Sequence, residues 1–282
     1  MKIAHIIKPV KVGKERDLYF QQPIVHESMK RARKYSKKKK VQQFAVFYPE
    51  DEEIIPSWFT KLPCLQRSTL DWDYKSEKTV KRKLPFFKEI LDSLWAASDA
   101  DYFIQTNADI CLMPHFYDLV FGLIKKGHES IIINKRIIPP HYRSVENLDE
   151  MYSELGQPHN GYDCFIFPRE IYPEFELGEI CMGINWSEAP ITVSMARYSS
   201  LAVLRNAHAT FHIGDTRTWL RPELAEYREH NAAEFAKIAV KLPPEVLKDS
   251  VIRWMSFKMK YEIQDHWHRD CHKLMELTTG LR

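Results

Sequence analysis

The chain has 282 residues, of which 44% are hydrophobic and 28% charged, and its formal net charge is +3. That composition excludes a disordered chain, and so small an excess of base does not by itself call for nucleic acid. No apolar run approaches the roughly 18 residues of a membrane span, and residues 1–8 are too short and interrupted for a secretory leader, so a cytoplasmic protein is expected.

The five cysteines (Cys64, Cys111, Cys164, Cys181 and Cys271) are odd in number, widely spaced and without a C-x-x-C pair. They read as reduced, mostly buried thiols rather than a disulfide framework or a zinc knuckle. Charge is uneven along the chain: between Lys30 and Lys40, eight of eleven residues are Lys or Arg. Such a tract suits a solvated helix end, and alternatively phosphates or an anionic membrane surface touched from one side.

Residues 3–7 form an apolar run that predicts a buried first strand, and 22–35 carry Ile24, Val25, Met29 and Ala32 at helical spacing. Residues 44–48 predict a second strand, stopped by Pro49. Pro85 opens a stripe of Phe86, Phe87, Ile90, Leu91, Leu94 and Trp95 with a period of about 3.6 residues, which predicts a helix. A strand at 101–106 ends on Asn107-Ala108-Asp109, and a helix at 115–126 and a strand at 130–134 follow. Strands alternating with helices, without hairpin signals, predict an α/β fold with a mostly parallel sheet and a ligand crevice at the strands' carboxyl ends. Asn107–Asp109 falls at such an end, and Gly161-Tyr162-Asp163 opens a later strand at 164–167. Beyond Gly214 the sequence turns long, charged and helical. The expected organisation is a catalytic domain over 1–220 and a helical extension, packed on it, over 221–282.

Asn107-x-Asp109 at a strand end can place a hard cation on Asp109 and a ribose or a metal-bound water on Asn107. Read alone, the tripeptide suits a turn better, since Asn and Asp are common wherever a strand ends in one. Lys81, Arg82 and Lys83, before the Pro85 helix, can meet phosphate oxygens, and Asn134 and Arg136 close the strand at 130–134 on the same expected edge. His212 alternates with Phe211 and Ile213, so it faces away from them and is a candidate second metal ligand. Trp72, Tyr162 and Trp186 can stack on sugar rings or fill a core. In the tail, His268 and His272 lie one helical turn apart and form a weaker metal candidate, with an exposed polar face as the alternative.

Residues 100–110, with 159–167 and 211–215, give the chain a resemblance to the GT-A type of nucleotide-diphospho-sugar transferases, in a bacterial glycosyltransferase-like branch, over roughly residues 1–220. The resemblance implies a GT-A-like, Rossmann-type, mostly parallel sheet flanked by helices. It further implies a UDP- or GDP-linked sugar donor and a carbohydrate or lipid-linked acceptor. In such enzymes a D-x-D step and a late histidine hold Mn²⁺ or Mg²⁺ with the donor diphosphate; here those roles fall on Asp109 and His212, with Asn107 where the first Asp usually stands. An inverting reaction needs a carboxylate to take the acceptor's proton, and Asp163 and Glu188 are the candidates. Two alternatives stand beside the transferase. A sugar nucleotidyltransferase would carry a glycine-rich loop after the first strand, where residues 9–14 hold a single glycine. A catalytically silent nucleotide-sugar or partner-binding scaffold fits the neutral Asn107.

Overall fold

The computed structural model describes residues 1–36, 40–159, 161–216, 220–243 and 246. In chain order its elements begin with β1 (Lys2–Ile7), α1 (Asp17–Tyr35), β2 (Lys40–Ala45), β3 (Thr60–Lys61), α2 (Phe87–Ala97) and β4 (Tyr102–Thr106). There follow β5 (Cys111–Leu112), α3 (Phe116–Lys125), β6 (Ser130–Ile133), β7 (Arg136–Ile138), α4 (Leu148–Ser153) and β8 (Gln157–Pro158). The last are β9 (Cys164–Pro168), α5 (Ala189–Tyr198), β10 (Leu201–Leu204), β11 (Thr210–Ile213) and α6 (Ala225–Ala239).

The chain forms two compact units, and the expected segment 1–220 contributes to both. The first comprises Met1–Gln66, Asp92–Tyr172 and Ser200–Thr216; the second comprises Arg67–Leu91, Pro173–Ser199 and the described part of Arg217–Arg282.

The first unit holds a seven-stranded sheet in the order β10-β6-β9-β4-β1-β2-β3. The pairs β10–β6, β4–β1, β1–β2 and β2–β3 are parallel, while β9 runs antiparallel to both β4 and β6. A smaller sheet, β5-β11-β7-β8, stands beside it. The mostly parallel sheet expected from the sequence is therefore present, with one reversed strand. Apolar residues on one face of the large sheet, among them Ile7, Ile104, Ile131 and Ile166, join Ile24, Val25 and Met29 of α1 and Phe116 and Val120 of α3 in one core. The central strands β1, β4, β6 and β9 are buried on nearly every residue, as a sheet covered by helices requires.

Two boundaries differ from expectation. The second strand spans Lys40–Ala45 rather than 44–48, because Lys40 already pairs with Lys2 of β1. Its exposed Lys40 and Gln42 break the apolar run by which a buried strand is recognised. Helix α1 begins at Asp17, ahead of residue 22, and contains Pro23. Beside that proline, Gln22 clasps the loop after β1, with Nε2 donating to the Val10 carbonyl at 2.7 Å and Oε1 accepting from the Val10 N–H at 2.8 Å.

The second unit is built on α5, α6 and the segments around them. Ile180, Trp186, Val193, Phe235 and Ala239 form one of its cores. Asn231, fully buried, ties α6 to the 181–185 turn: Oδ1 accepts from the Cys181 N–H at 2.9 Å, and Nδ2 donates to the carbonyls of Cys181 at 2.9 Å and Asn185 at 3.1 Å. The described cysteines are all free thiols, and Cys271 lies outside the described residues. No helix among the described residues is long and apolar enough to cross a membrane.

Candidate active site at the carboxyl edge of the sheet

Strand direction gathers the site. β4 ends at Thr106, which lies opposite Cys164, the first residue of β9, and Ile132 near the end of β6 lies opposite Phe165. Because β9 is reversed, its beginning meets the ends of its neighbours. Residues after β4 (Asn107–Asp109), after β6 (Asn134, Lys135) and before β9 (Asp163) therefore share one edge. The small sheet closes it, since β11 lies between β5 and β7 with Phe211 opposite both Cys111 and Arg136. That register brings His212 to the same place.

Residues 107–109 form a turn rather than a continued strand, with the Ile110 N–H donating to the Asn107 carbonyl at 3.2 Å. Asp109 leaves this turn half-buried, and its Oδ2 stands 3.2 Å from His212 Nε2. On the far side of the ring, His212 Nδ1 lies 2.6 Å from the Gly214 carbonyl oxygen, so Nδ1 carries the hydrogen. The nitrogen facing Asp109 then either donates a second proton to the carboxylate or presents a lone pair beside it. A lone pair there, with the opposite N–H held by a carbonyl, is how an imidazole ligates a divalent ion. Asp109 Oδ1 is buried without a hydrogen-bond partner. Among the described residues no three His, Cys, Asp or Glu groups come together as a cation site. A cation held by this pair would have to take its other ligands from water or from a bound anion. An imidazole ligand suits Mn²⁺ better than Mg²⁺, which prefers oxygen throughout.

Beside this pair lies a buried ion pair. Lys135 Nζ donates to Asp163 Oδ1 at 3.1 Å, with both side chains nearly inaccessible. Burial alone would drive the lysine's pKa down, but the carboxylates of Asp163 and Asp109 outweigh it and hold the value above the usual range. Burial likewise opposes ionisation of Asp163, and the Lys135 ammonium overrides it, keeping that carboxyl far below its ordinary range. Asp109 is also held low, with His212 and then Lys135 outweighing the effect of burial. His159 completes the group: its Nδ1 accepts from the Gly161 N–H at 2.9 Å and lies 3.6 Å from Asp163 Oδ2.

No family model matches this chain, and no curated protein does. Solved structures of sugar transferases resemble it in outline. S. aureus TarS 1–349 in complex with UDP-GlcNAc is 9% identical, with 99% of this chain and 72% of that chain covered and a TM-score of 0.46. The mannosyltransferase PcManGT from Pyrobaculum calidifontis, in complex with GDP-Man and Mn²⁺, is 13% identical over 99% of this chain and 79% of that one, with a TM-score of 0.48. Glucosyl-3-phosphoglycerate synthase from Mycobacterium tuberculosis, with Mn²⁺, UDP and phosphoglyceric acid, is 13% identical over 88% and 80%, with a TM-score of 0.47. These ligands belong to those proteins.

The other candidates have more varied settings. Asn107 accepts a long contact from Gln105 Nε2 at 3.5 Å. Asn134 is sealed in, its Nδ2 donating to the His159 carbonyl at 2.8 Å, so it braces the edge from inside. Arg136 spends its guanidinium on the carbonyls of Leu155 and Gly156. Lys81, Arg82, Lys83 and Glu188 belong to the second unit. There, Lys81 lies over the Tyr74 ring, the Arg82 backbone N–H donates to Tyr227 Oη at 2.8 Å, and Glu188 stands at the N-terminus of α5. Trp186 stacks on Phe235, Trp72 packs against His230 and Tyr227, and Tyr162 is buried, so all three serve packing. His268 and His272 lie outside the described residues. Lys135, between two residues singled out from the sequence, escaped notice because nothing local distinguishes a buried lysine from a solvated one.

A cavity of about 680 Å³ opens in the first unit, lined by Val10, Tyr19, Gln22, His26, Trp58 and neighbours. Residues 10–12 follow β1 and residues 53–58 follow β2, so it stands toward the same sheet edge as Asp109. His26 Nε2 and Trp58 Nε1 are buried there without hydrogen-bond partners.

Proposed function

We propose that the protein is a glycosyltransferase that moves a sugar from a nucleotide-diphosphate donor, UDP- or GDP-linked, to an acceptor hydroxyl, using Mn²⁺ in preference to Mg²⁺. The observation that carries this reading is the Asp109–His212 pair, an acid and an oriented imidazole 3.2 Å apart at the carboxyl edge of the sheet. The Asp109 carboxylate, through the oxygen that faces His212 Nε2, and that nitrogen would hold the ion. A cation bound there would neutralise charge growing on the diphosphate as the sugar–oxygen bond breaks.

The chain's own residues have further proposed parts. The cavity beside Trp58 takes the base, with the indole ring as a surface for it to pack on. Asp163 takes the proton that leaves the acceptor oxygen as the new bond to the anomeric carbon forms. Its pairing with Lys135 makes it a weak base, so the reaction leans on stabilising the leaving group. The acceptor is proposed to be a carbohydrate or a lipid-linked sugar. The proposed setting is the cytoplasm, with the basic end of α1 as a contact for an anionic membrane surface.

The test is donor hydrolysis. With Mn²⁺, the purified protein should release nucleoside diphosphate from one UDP- or GDP-sugar, and Asp109→Ala should lower that rate at least about a hundredfold. Equal rates in the two proteins would refute the assignment of Asp109. Nucleotide binding with no turnover against any acceptor would favour the silent scaffold.

A further inference from the structure

Beside the proposed cation and acceptor positions lies a buried positive charge, the ammonium of Lys135. It is buried at the same edge as Asp109 and Asp163, bonded to Asp163 Oδ1 at 3.1 Å, and among the described residues that is its one hydrogen-bond partner. A lysine ammonium has three hydrogens, so two are unspent. Around it, Asp109 Oδ1 and Asp163 Oδ2 are buried oxygens without donors. Lys135 also lies within the electrostatic reach of Asp109 and of Asp215. The backbone fixes it there, since the Lys135 carbonyl accepts from the His159 N–H at 3.2 Å and β7 starts at the next residue.

A fixed positive charge at this position has opposite effects on two kinds of ligand. It repels a free divalent cation approaching Asp109 and His212, because like charges at short range in a partly buried site interact strongly. It attracts a diphosphate, which brings two or more negative charges and oxygens able to accept the unspent hydrogens. Without a cation, the acids Asp109, Asp163 and Asp215 outnumber Lys135 and repel the diphosphate in turn. The ammonium weakens the hold on a cation arriving alone, the acids oppose a diphosphate arriving alone, and the two ligands together relieve both effects.

We propose that Lys135 couples the two ligands: it weakens the hold of the Asp109–His212 pair on a divalent cation by itself and makes tight capture depend on the diphosphate of the donor. This rests on the transferase reading of the site and adds an order to it. The coupling is reciprocal, so the nucleotide gains affinity from the cation by the same factor.

The experiment reads free Mn²⁺ by its electron paramagnetic resonance signal while protein is titrated, with and without UDP or GDP, and with correction for the Mn²⁺–nucleotide complex in solution. The wild-type protein should bind Mn²⁺ at least about tenfold more tightly with the nucleotide than without it. Lys135→Met should bind Mn²⁺ alone at least about tenfold more tightly than wild type, and the difference made by nucleotide should shrink to about threefold or less. Lys135→Arg, which keeps the charge, should retain the wild-type coupling. If Lys135→Met leaves Asp163 unpaired and does not fold, Asp163→Asn gives the reading. It keeps the ammonium and frees it, so it should weaken Mn²⁺ alone about tenfold while nucleotide-assisted binding stays within about threefold of wild type. Unchanged Mn²⁺ affinity in Lys135→Met, or equal losses with and without nucleotide in Asp163→Asn, would overturn the proposal. Failure of the transferase reading looks different: no protein would bind Mn²⁺ with any nucleoside diphosphate, whatever stands at 135.

Discussion

The His212 ring is aimed by a residue two positions along its own chain, the carbonyl of Gly214, 2.6 Å from Nδ1. Gly214 can present that carbonyl because it holds φ at +74°, where an L side chain is strained, and a Cβ on it would stand 3.1 Å from the Cβ of Pro140. Gly214→Ala should therefore cost roughly 1–2 kcal/mol of stability and also let the imidazole swing away from Asp109. The second effect should appear as a loss of about tenfold or more in nucleotide-assisted Mn²⁺ binding. Gly127→Ala supplies the control: φ there is +93° with nothing near the new Cβ, so it should cost similar stability and leave Mn²⁺ binding unchanged.

Stability should fall in mild acid for a reason separate from the site. His5, fully buried in β1, has Nδ1 2.9 Å from Tyr117 Oη and Nε2 2.9 Å from Thr106 Oγ1, while Gln43 Nε2 donates to the same Tyr117 oxygen. Tyr117 then donates to Nδ1 and the ring donates to Thr106, which suits a neutral imidazole. Burial pushes the pKa of His5 down to about 3 and that of His26 to about 4. Both values lie below those of the unfolded chain, so the unfolded state binds more protons and stability drops as pH falls below about 6.5. Each histidine should contribute up to about 1.4 kcal/mol per pH unit until its own folded value is reached. Urea melts between pH 7.5 and 5 check this, and His5→Gln, whatever it costs at neutral pH, should show the shallower slope.

The second unit should depend on Asn231. Its amide satisfies a backbone N–H and two carbonyls that lie buried between α6 and the 181–185 turn. Asn231→Ala orphans them, and leaving buried polar groups unpaired costs about 1–3 kcal/mol. Denaturant unfolding should show that loss.

The cavity makes a separate prediction. Trp58→Ala removes the indole that lines it. Loss of one ring contact of about 0.5–1.5 kcal/mol should weaken nucleoside diphosphate binding roughly 3- to 10-fold. Mn²⁺ binding alone should be unchanged, as isothermal titration can establish.

Much of this arrangement was legible from residue order. Buried strands β1, β4 and β6 show as apolar runs, and α2 and α3 as stripes of helical period, because burial against helices imposes those patterns locally. Asp109 and His212 both stand out at strand positions in the sequence, and the structure sets them 3.2 Å apart. The small sheet was not legible, since two-residue strands such as Cys111–Leu112 and Gln157–Pro158 show no alternation. The reversal of β9 was not legible either, because the run 164–167 reads the same in both directions and only its neighbours on both sides decide. Lys135 needed that reversal: without β9 antiparallel, Asp163 would stand at the opposite edge and leave the ammonium unmatched.

The reversed β9 has a consequence for how such a protein can diversify. Segment 134–163 departs from the end of β6 and re-enters at the start of β9, on one rim, without crossing the layer. It is an excursion whose two anchors, Lys135 and Asp163, are bonded to each other. Between them β7 pairs with β11, which carries His212, and Leu148 and Met151 lie in the core, so these stretches are fixed. On the transferase proposal, a change of acceptor would fall to the exposed positions between the fixed points, such as His141, Glu146 and Leu155, with the strands beneath and the charge balance at the base left as they are.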